Sequence, residues 1–192
     1  MALTASHSSL NVNLTPNKNP AHLAREVVQA ALQYSHLPDP PPEEFYRRRA
    51  ACFVSIKKQG GLRGCIGTLD PAETDLAREI IRNAQSAAFA DPRFPPVVLA
   101  EVTLLSFSVD VLSAPERIDS HQELDCKKYG VIVGCDYRRG VLLPDLEGVD
   151  SIERQLEIAC QKAGIYPGDK FDMHRFTVVR YDENWNPGQL PE

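Results

Sequence analysis

Seven consecutive residues, Leu62-Arg63-Gly64-Cys65-Ile66-Gly67-Thr68, combine a thiol, a permanent positive charge and two glycines within the length of one β-strand. Residues two apart in a strand point to the same face, so Arg63 and Cys65 are predicted to lie about 7 Å apart along one face. A guanidinium at that distance favours a thiolate over a thiol. The pattern is therefore typical of a nucleophilic or ligand-contacting cysteine, with Cys65 and Arg63 as candidate catalytic residues.

A second interpretation of the same stretch is structural. A free cysteine often behaves as a small buried apolar residue. Gly64 and Gly67 lack side chains, which allows either a ligand or another backbone segment to approach closely. These two glycines are therefore ligand-binding candidates in one interpretation and packing positions in the other, and the residue types alone leave both open.

Three charged positions outside this stretch are further ligand-binding candidates. Asp91 and Arg93 lie in the proline-stiffened segment Asp91-Pro92-Arg93-Phe94-Pro95-Pro96. This pair either binds an anionic ligand or clamps the loop as an ion pair. Asp145 follows Leu142-Leu143-Pro144 and serves either as a general base or as an acceptor for nearby backbone N–H groups. A nucleophilic cysteine also needs a base, but His121 and His174 stand in no local motif that assigns this role to them.

The cysteines give no indication of a metal site or a disulfide framework. They stand at positions 52, 65, 126, 135 and 160, without a C-x-x-C pair or a nearby histidine. Structural zinc sites and disulfide-rich domains both show closer and more regular spacing. We therefore expect reduced thiols, no bound metal and no cofactor.

Residues 51–69 are predicted to form a β-hairpin, for which two registers are open. A two-residue turn at Gly60-Gly61 would mix polar and apolar residues on both faces. A three-residue turn over 59–61 pairs Val54 with Ile66 and Ser55 with Cys65, which separates the two kinds of residue. Because register follows the buried face, we predict the second. Its core face carries Val54, Ile56, Leu62 and Ile66. Its other face carries Ser55, Lys57, Arg63 and Cys65, so Lys57 is a further ligand-binding candidate.

Helices and strands elsewhere alternate in groups, which predicts an α+β fold around a mainly antiparallel sheet. Apolar spacing and capping residues predict a helix from Pro20 or Ala21, one from Asp70 to about Asp91, a short one from Ser120 to Lys128 and one from Ser151 to Gly164. Strands are predicted over 102–112, 131–136, 141–143 and 174–182. Arg138 and Arg139 form the tip of a hairpin, which is a weak indication of nucleic-acid binding.

Bulk composition argues for an ordinary globular protein. The chain has 192 residues, 43% hydrophobic content and a net charge of −5, and such an acidic balance argues against a general nucleic-acid or membrane-surface binder. No apolar run of membrane-spanning length and no secretory signal are visible, so we expect a cytoplasmic protein without membrane contact. Residues 1–19 and 184–192 are predicted to be tails, the first of them mobile, around a domain over 20–183.

The stretch 62–68, the segment 91–96 and the sequence Arg139-Gly140-Val141-Leu142-Leu143-Pro144-Asp145 together resemble the AMMECR1 domain family. The helix 151–164 fits the same pattern, and the resemblance covers about residues 20–183. It implies a compact α+β domain whose larger and smaller lobes form a cleft near 63–67. It also implies a place in the bacterial and archaeal AmmeMemoRadiSam system, with a Memo-like and a radical SAM protein as partners.

The resemblance implies no reaction, because the family has no settled biochemical activity. We expect a cysteine-centred cleft belonging to an enzyme or enzyme subunit in a modification pathway, acting on a small molecule or macromolecular substrate. The alternative is a non-catalytic module that binds a ligand or another protein.

Overall fold

The computed structural model describes residues 16–186. Residues 1–15 and 187–192, which make up most of the two predicted tails, lie outside the described part. At both ends of the described part, residues that were predicted to belong to the tails pack against the domain. Asn19 is buried, and its Nδ2 donates hydrogen bonds to the carbonyls of Asp182 and Trp185. Trp185 is itself buried against Tyr181.

Two four-stranded antiparallel sheets and the helices packed on them confirm the α+β class. The helices are α1 (Pro20–Leu32), α2 (Glu44–Arg47), α3 (Leu76–Phe89) and α4 (Ile152–Ala163), with short 3-10 helices at Leu99–Leu104 and His121–Glu123. The strands are β1 (Cys52–Lys58), β2 (Gly61–Gly67), β3 (Leu105–Leu112), β4 (Glu116–Ile118), β5 (Gly130–Cys135), β6 (Arg138–Leu142), β7 (Asp172–Phe176) and β8 (Val178–Asp182). The first sheet has the order β2-β1-β3-β8 and the second the order β4-β7-β5-β6.

Helices α1 and α3 cover one face of the first sheet. Val54, Ile56 and Val109 point into this core and are fully buried. A Cβ on Gly64 would come within 2.2 Å of the Ala87 carbonyl oxygen in α3, so this glycine permits the close approach of helix and sheet. The same arrangement recurs in the second sheet, where Gly140 lies against α4.

The predicted hairpin register is confirmed for the residues around Cys65, but the predicted three-residue turn over 59–61 is wrong. Ser55 pairs with Cys65 and Val54 with Ile66. The loop is a two-residue turn at Gln59-Gly60, both with positive φ (49° and 83°), and Lys57 pairs with Leu62. Arg63 is therefore the extra residue of a β-bulge, which restores the predicted register towards Gly67. Leu62, predicted to be buried, is 46% exposed.

The predicted start of the third helix at Asp70 is wrong, because α3 begins at Leu76 with Asp75 as its N-cap. The buried Glu79 carboxylate accepts hydrogen bonds from the backbone N–H groups of Ala72 and Glu73. It thereby holds the preceding segment in a non-helical conformation. The capping box at Ser120 forms as predicted, but the helix after it is only a three-residue 3-10 turn.

The predicted last strand, 174–182, is two strands in different sheets. It divides at Thr177, whose N–H donates to the Ser113 hydroxyl and whose carbonyl accepts from the Ser113 N–H, both at 3.0 Å. Ser113 lies where the chain leaves the first sheet for the second. The two crossings between the sheets are therefore side by side, and a third apolar cluster joins the sheets there: Ala51, Leu112, Ile132 and Phe176, with Phe53 and Val178 packed against it.

The predicted strand 102–112 begins only at Leu105, after a 3-10 helix. Its alternation of buried and accessible residues is confirmed from there to Val109, whereas Asp110 and Leu112 on the other face are buried as well. Arg138 and Arg139 lie within β6, and the hairpin tip is Asp136-Tyr137. Helix α4 runs from its Ser151 cap to a left-handed Gly164, as predicted. Between residues 16 and 186, no helix combines the length and apolarity needed to cross a bilayer.

Candidate functional site

Cys65 lies in β2, the edge strand of the first sheet, and its peptide groups are bound by side chains. Its N–H donates to Asp91 Oδ2 at 2.9 Å, and its carbonyl accepts from Arg93 Nη2 at 3.0 Å. Exposed edges of sheets normally leave such groups open to another chain. Here the Asp91–Arg93 pair occupies the position of a neighbouring strand at Cys65, which fixes the backbone that carries the thiol.

Several hydrogen bonds join Arg93 to Asp91. Asp91 is buried and accepts from Arg93 Nε at 2.9 Å, from Arg93 Nη2 at 2.7 Å and from the Arg93 backbone N–H at 3.1 Å. The hydrogen bond from the Arg93 guanidinium, followed by those from backbone N–H groups, holds the pKa of Asp91 well below its usual range. Of the two predicted roles, the loop clamp is the one that these contacts form.

The thiol lies on the face of the first sheet opposite to α1 and α3. Register places Cys65, Ser55, Ser108 and Asp182 side by side across the four strands. Neighbouring strands are about 4.8 Å apart, so this polar row is about 14 Å long. The Ser55 hydroxyl donates a hydrogen bond to Cys65 Sγ at 3.2 Å. Cys65 is half-buried, and Ser55 and Ser108 are likewise partly accessible.

The adjacent row on this face contains an ion pair that sequence reasoning missed. Asp110 and Arg180 are paired across β3 and β8, and Arg180 donates to Asp110 from Nε at 2.7 Å and from Nη2 at 2.9 Å. This bidentate hydrogen bond raises the pKa of Arg180, and the charges of Asp145 and Cys65 act in the same direction. No local motif marks Arg180, because only the pairing of two strands about seventy residues apart creates the contact.

Arg63 does not face Cys65 as the strand periodicity predicted, because it is the bulged residue. Its Nη2 donates to Glu101 Oε1 at 2.7 Å, and its Nη1 and Nη2 donate to the carbonyls of Pro95 and Pro96. Lys58 joins the same carboxylate at 2.9 Å. These contacts make Arg63 part of an ionic cluster that anchors the 95–101 segment.

The positive charge expected beside Cys65 comes from other side chains. The hydrogen bond to Asp91 raises the pKa of Arg93, with further contributions from the charge of Cys65 and a hydrogen bond to it. Arg180 lies on the same face as Cys65 but in β8, at the opposite edge of the sheet, and the charge of Cys65 contributes to its raised pKa. Arg93 is therefore the guanidinium in contact with Cys65, and Arg180 is a more distant charge on the same face.

The remaining four predicted site residues do not lie together: one is on the Cys65 face, two are packing positions and one is in a loop of the second half. Lys57 is exposed on the Cys65 face. The space beside Gly64 is filled by the backbone of α3, and that beside Gly67 by the Phe53 ring. Asp145 has a left-handed φ of 51° and an exposed side chain, 3.5 Å from Lys127 Nζ. The charge of Asp145 also contributes to the raised pKa of Arg180.

The two histidines considered as bases lie in the second half of the molecule. His174 is in β7, opposite Arg117 and Ile132, and His121 is in the exposed 3-10 turn. Neither is hydrogen-bonded to Cys65, whose contacts are with Ser55, Asp91 and Arg93. Among residues 16–186, no group of three His, Cys, Asp or Glu side chains is arranged to hold a metal ion.

A cavity of about 530 Å³ lies away from this face, between the end of α4 and the loop 165–171. Its lining includes Cys160, Tyr166 and Phe171, but none of the eight predicted site residues. Volume alone does not mark a functional site. The Cys65 face has the stronger claim, because fixed polar groups from several elements converge there.

Comparisons with known proteins agree with the geometry. The AMMECR1 family model matches residues 21–185. A Thermotoga maritima protein is 50% identical over 163 residues, covering 82% of this chain and 94% of its own. A Clostridium acetobutylicum protein is 48% identical over 148 residues, and the match covers 77% of this chain but only 31% of that longer protein.

A solved structure shows the same fold. The crystal structure of the uncharacterized protein PH0010 from Pyrococcus horikoshii matches with a TM-score of 0.78 and 29% identity, covering 88% of this chain and 96% of that one. The family model spans nearly all the described residues, including both sheets and the Cys65 strand. The chain therefore belongs to the AMMECR1 family.

Proposed function

We propose that this chain is a ligand-binding subunit of a cytoplasmic modification pathway, and that its ligand lies over the Cys65 row in a cleft between the two halves of the molecule. The observation that carries this proposal is the fixation of Cys65. Its N–H and carbonyl are both held by the Asp91–Arg93 pair, while the residue is only half-buried and its side chain lies on a polar face. A group held in one position by its surroundings costs less to order when a ligand binds.

Binding is favoured over nucleophilic catalysis by Cys65 for a chemical reason. A cysteine nucleophile works with a neighbouring base, whereas the contacts of Cys65 are a serine hydroxyl, a carboxylate already held by Arg93, and Arg93 itself. In this proposal the thiol contributes shape and a hydrogen-bonding surface, and the reaction is carried out by a partner.

The partners we propose are a Memo-like protein and a radical SAM protein, as the family resemblance implies. The Clostridium acetobutylicum relative supports a joint function, since the match covers only 31% of its length. An AMMECR1 domain is thus joined to a longer polypeptide in that protein. We expect the present chain to associate with its partners non-covalently, which gel filtration of the three proteins from one host would measure.

The binding proposal is tested by mass spectrometry of small molecules retained from a host-cell extract after desalting. Cys65→Ser nearly preserves the size of the side chain and should retain the same compound. Cys65→Leu fills the space over the row and should lose it. Cys135→Leu is the matched control in the second sheet. Retention that is unchanged by Cys65→Leu would place the ligand elsewhere.

A second candidate function is an enzyme in which Cys65 reacts with the substrate. The specific observation in its favour is the hydrogen bond from Ser55 to Sγ, together with the charges of Arg93 and Arg180. Iodoacetamide, a neutral reagent, separates the two functions. An activated thiol should react at least about tenfold faster than glutathione at pH 7, whereas a binding-site thiol should react at a comparable or slower rate.

A further inference from the structure

Arg93 and Arg180 are oriented in the same way by two buried carboxylates. Arg93 uses Nε and Nη2 to bind the two oxygens of Asp91, at 2.9 and 2.7 Å. Arg180 uses the same two nitrogens to bind Asp110, at 2.7 and 2.9 Å. Such bidentate pairs hold the guanidinium plane in a fixed orientation. Two preoriented guanidinium groups thus lie at the two edges of the first sheet, Arg93 beside Cys65 at the β2 edge and Arg180 in β8.

This arrangement leaves Nη1, the third nitrogen of each guanidinium, free to donate hydrogen bonds to a ligand. Within residues 16–186, no hydrogen bond uses Nη1 of Arg93 or Arg180. By contrast, Nη1 of Arg63 donates to the Pro95 carbonyl, and Nη1 of Arg138 to the Gly164 carbonyl. Each Nη1 has two N–H groups to donate.

The exposed member of each pair is the cation. The side chains of Arg93 and Arg180 are 53% and 56% exposed, while those of Asp91 and Asp110 are 2% and 3% exposed. A ligand on this face therefore meets the guanidinium groups, although each pair is neutral as a whole. Lys57 adds an exposed ammonium on the same face.

Two carboxylates whose charges oppose an anionic ligand, Asp182 on this face and Asp145 outside it, have partners of their own. Asp182, at the end of the row, accepts from the Asn184 N–H at 2.8 Å. Asp145 is within 3.5 Å of Lys127 Nζ. Asp182 ends the row at β8 with a negative charge, so the rest of the row, Cys65, Ser55 and Ser108, carries no carboxylate.

We propose that the ligand of the Cys65 face carries oxyanion groups, either carboxylates or phosphates, bound at the β2 side of the face by Nη1 of Arg93 and at the β8 side by Nη1 of Arg180, with the Ser55 and Ser108 hydroxyls between them. This inference rests on the proposed binding function and adds the chemical class of the ligand. Guanidinium N–H groups suit both oxyanions. The two classes are distinguished by experiment.

Cys65 can report on this charge through its reaction with aromatic disulfides. Its sulfur attacks one reagent sulfur, a new S–S bond forms, the aryl thiolate leaves and the thiol proton passes to buffer. The anionic reagent is 5,5′-dithiobis(2-nitrobenzoate), and the neutral one is 4,4′-dithiodipyridine. Peptide mapping gives the rate at each cysteine, with Cys160 as the internal reference on α4.

We expect the anionic-to-neutral rate ratio at Cys65 to exceed that at Cys160 by about tenfold at low salt, and to fall as ionic strength rises. The double variant Asp110→Asn/Arg180→Gln removes one ion pair without leaving a buried charge. It should lower the ratio several-fold while changing the neutral rate little. Arg139→Gln is the control, because that exposed arginine pairs with Asp70, whose side chain is also exposed.

Protection distinguishes the two oxyanions. Phosphate and acetate are added separately at matched ionic strength, and the reaction of Cys65 with the neutral reagent is followed. If only phosphate slows this reaction, the ligand carries a phosphate. If only acetate slows it, the ligand carries a carboxylate. If both slow it, the face binds oxyanions of either class. Any slowing by phosphate or acetate should be weaker in the double variant Asp110→Asn/Arg180→Gln.

Two outcomes overturn the inference, and they differ. Equal rate ratios at Cys65 and Cys160, with no protection by either anion, reject the oxyanion while leaving an accessible binding face. Failure of the neutral reagent to reach Cys65 in the folded protein rejects the binding face itself, and the oxyanion with it.

Discussion

The Asp91 carboxylate holds the backbone N–H of Cys65 at 2.9 Å across 26 residues of sequence. This bond joins the end of α3 to the edge of the first sheet, and Arg93 completes it by binding the Cys65 carbonyl. Two of the family motifs are therefore one structural unit, in which a loop replaces the missing neighbour of an edge strand.

Replacing Asp91 by Asn should destabilise the protein by about 1–3 kcal/mol. An amide has a single acceptor oxygen. Either Cys65 N–H and Arg93 Nη2, which share Oδ2, or the Arg93 backbone N–H and Nε, which share Oδ1, therefore lose their acceptor in a buried position. Urea unfolding measures the difference. Asp119→Asn is the control at a 94% exposed side chain and should change the free energy of unfolding by less than about 0.5 kcal/mol. Equal stability of the two variants would contradict the role of Asp91.

The Glu101 cluster predicts a pH dependence with a definite sign. The hydrogen bond from Arg63, with that from Lys58, lowers the pKa of Glu101 from 4.5 to about 2. A depressed pKa in the folded state stabilises the protein above the unfolded value, and this contribution is lost as the pH falls through the folded value. The stability difference between wild type and Glu101→Gln should thus be constant above about pH 5.5 and shrink from there towards pH 2.

Urea titrations at pH 7, 4 and 3 follow that difference. Glu147→Gln changes an exposed carboxylate by the same substitution and controls for general charge effects. A wild-type advantage over Glu101→Gln that stays constant between pH 7 and pH 3 would show that the cluster does not depend on the ionised carboxylate.

Arg63 should matter for stability and not for the reactivity of Cys65. Arg63→Lys keeps one charge but loses the bonds to the Pro95 and Pro96 carbonyls, and we expect a loss of about 1–3 kcal/mol. The rate of Cys65 with iodoacetamide should change by less than about twofold, since the charges of Arg93 and Arg180 remain. Arg117→Lys is the exposed control. A large fall in Cys65 reactivity would restore Arg63 as a catalytic candidate.

Gly64 should not accept a side chain. A Cβ at this position would meet the Ala87 carbonyl oxygen at 2.2 Å, whereas one at Gly61, in the same strand, would come no closer than 3.5 Å to the Lys58 carbonyl oxygen. Gly64→Ala should therefore lower the free energy of unfolding by about 1–3 kcal/mol, and Gly61→Ala by much less. Thermal unfolding of the two variants tests this difference. Comparable melting temperatures would mean that α3 can move away at little cost.

Cys52 should be unreactive while the protein is folded. Burial raises the pKa of its thiol to about 12, so the thiolate fraction at pH 8 is about one in ten thousand. Iodoacetamide at pH 8 should label Cys65 well before Cys52, and urea should abolish the difference. Labelling of Cys52 at a rate similar to Cys65 in native buffer would indicate that the core opens readily.

Features set by neighbouring residues were predictable from the sequence. Alternating apolar residues predicted the pairing of Ser55 with Cys65, because a shift by one residue would expose the whole buried face. Ser151 and Gly164 predicted the ends of α4, because capping depends on the backbone within one turn. The three motifs together predicted the family that the comparisons show.

The composition of the site was decided by the tertiary structure. A bulge of one residue turns Arg63 towards Glu101, and the pairing of β3 with β8 brings Arg180 to the Cys65 face. Both effects depend on contacts between segments far apart in sequence, whose geometry no local pattern records. The sequence alone determined that Cys65 lies on a polar strand face opposite the core. Only the packed structure determined which charges surround it, because charged side chains turn to whichever partners the fold brings within reach.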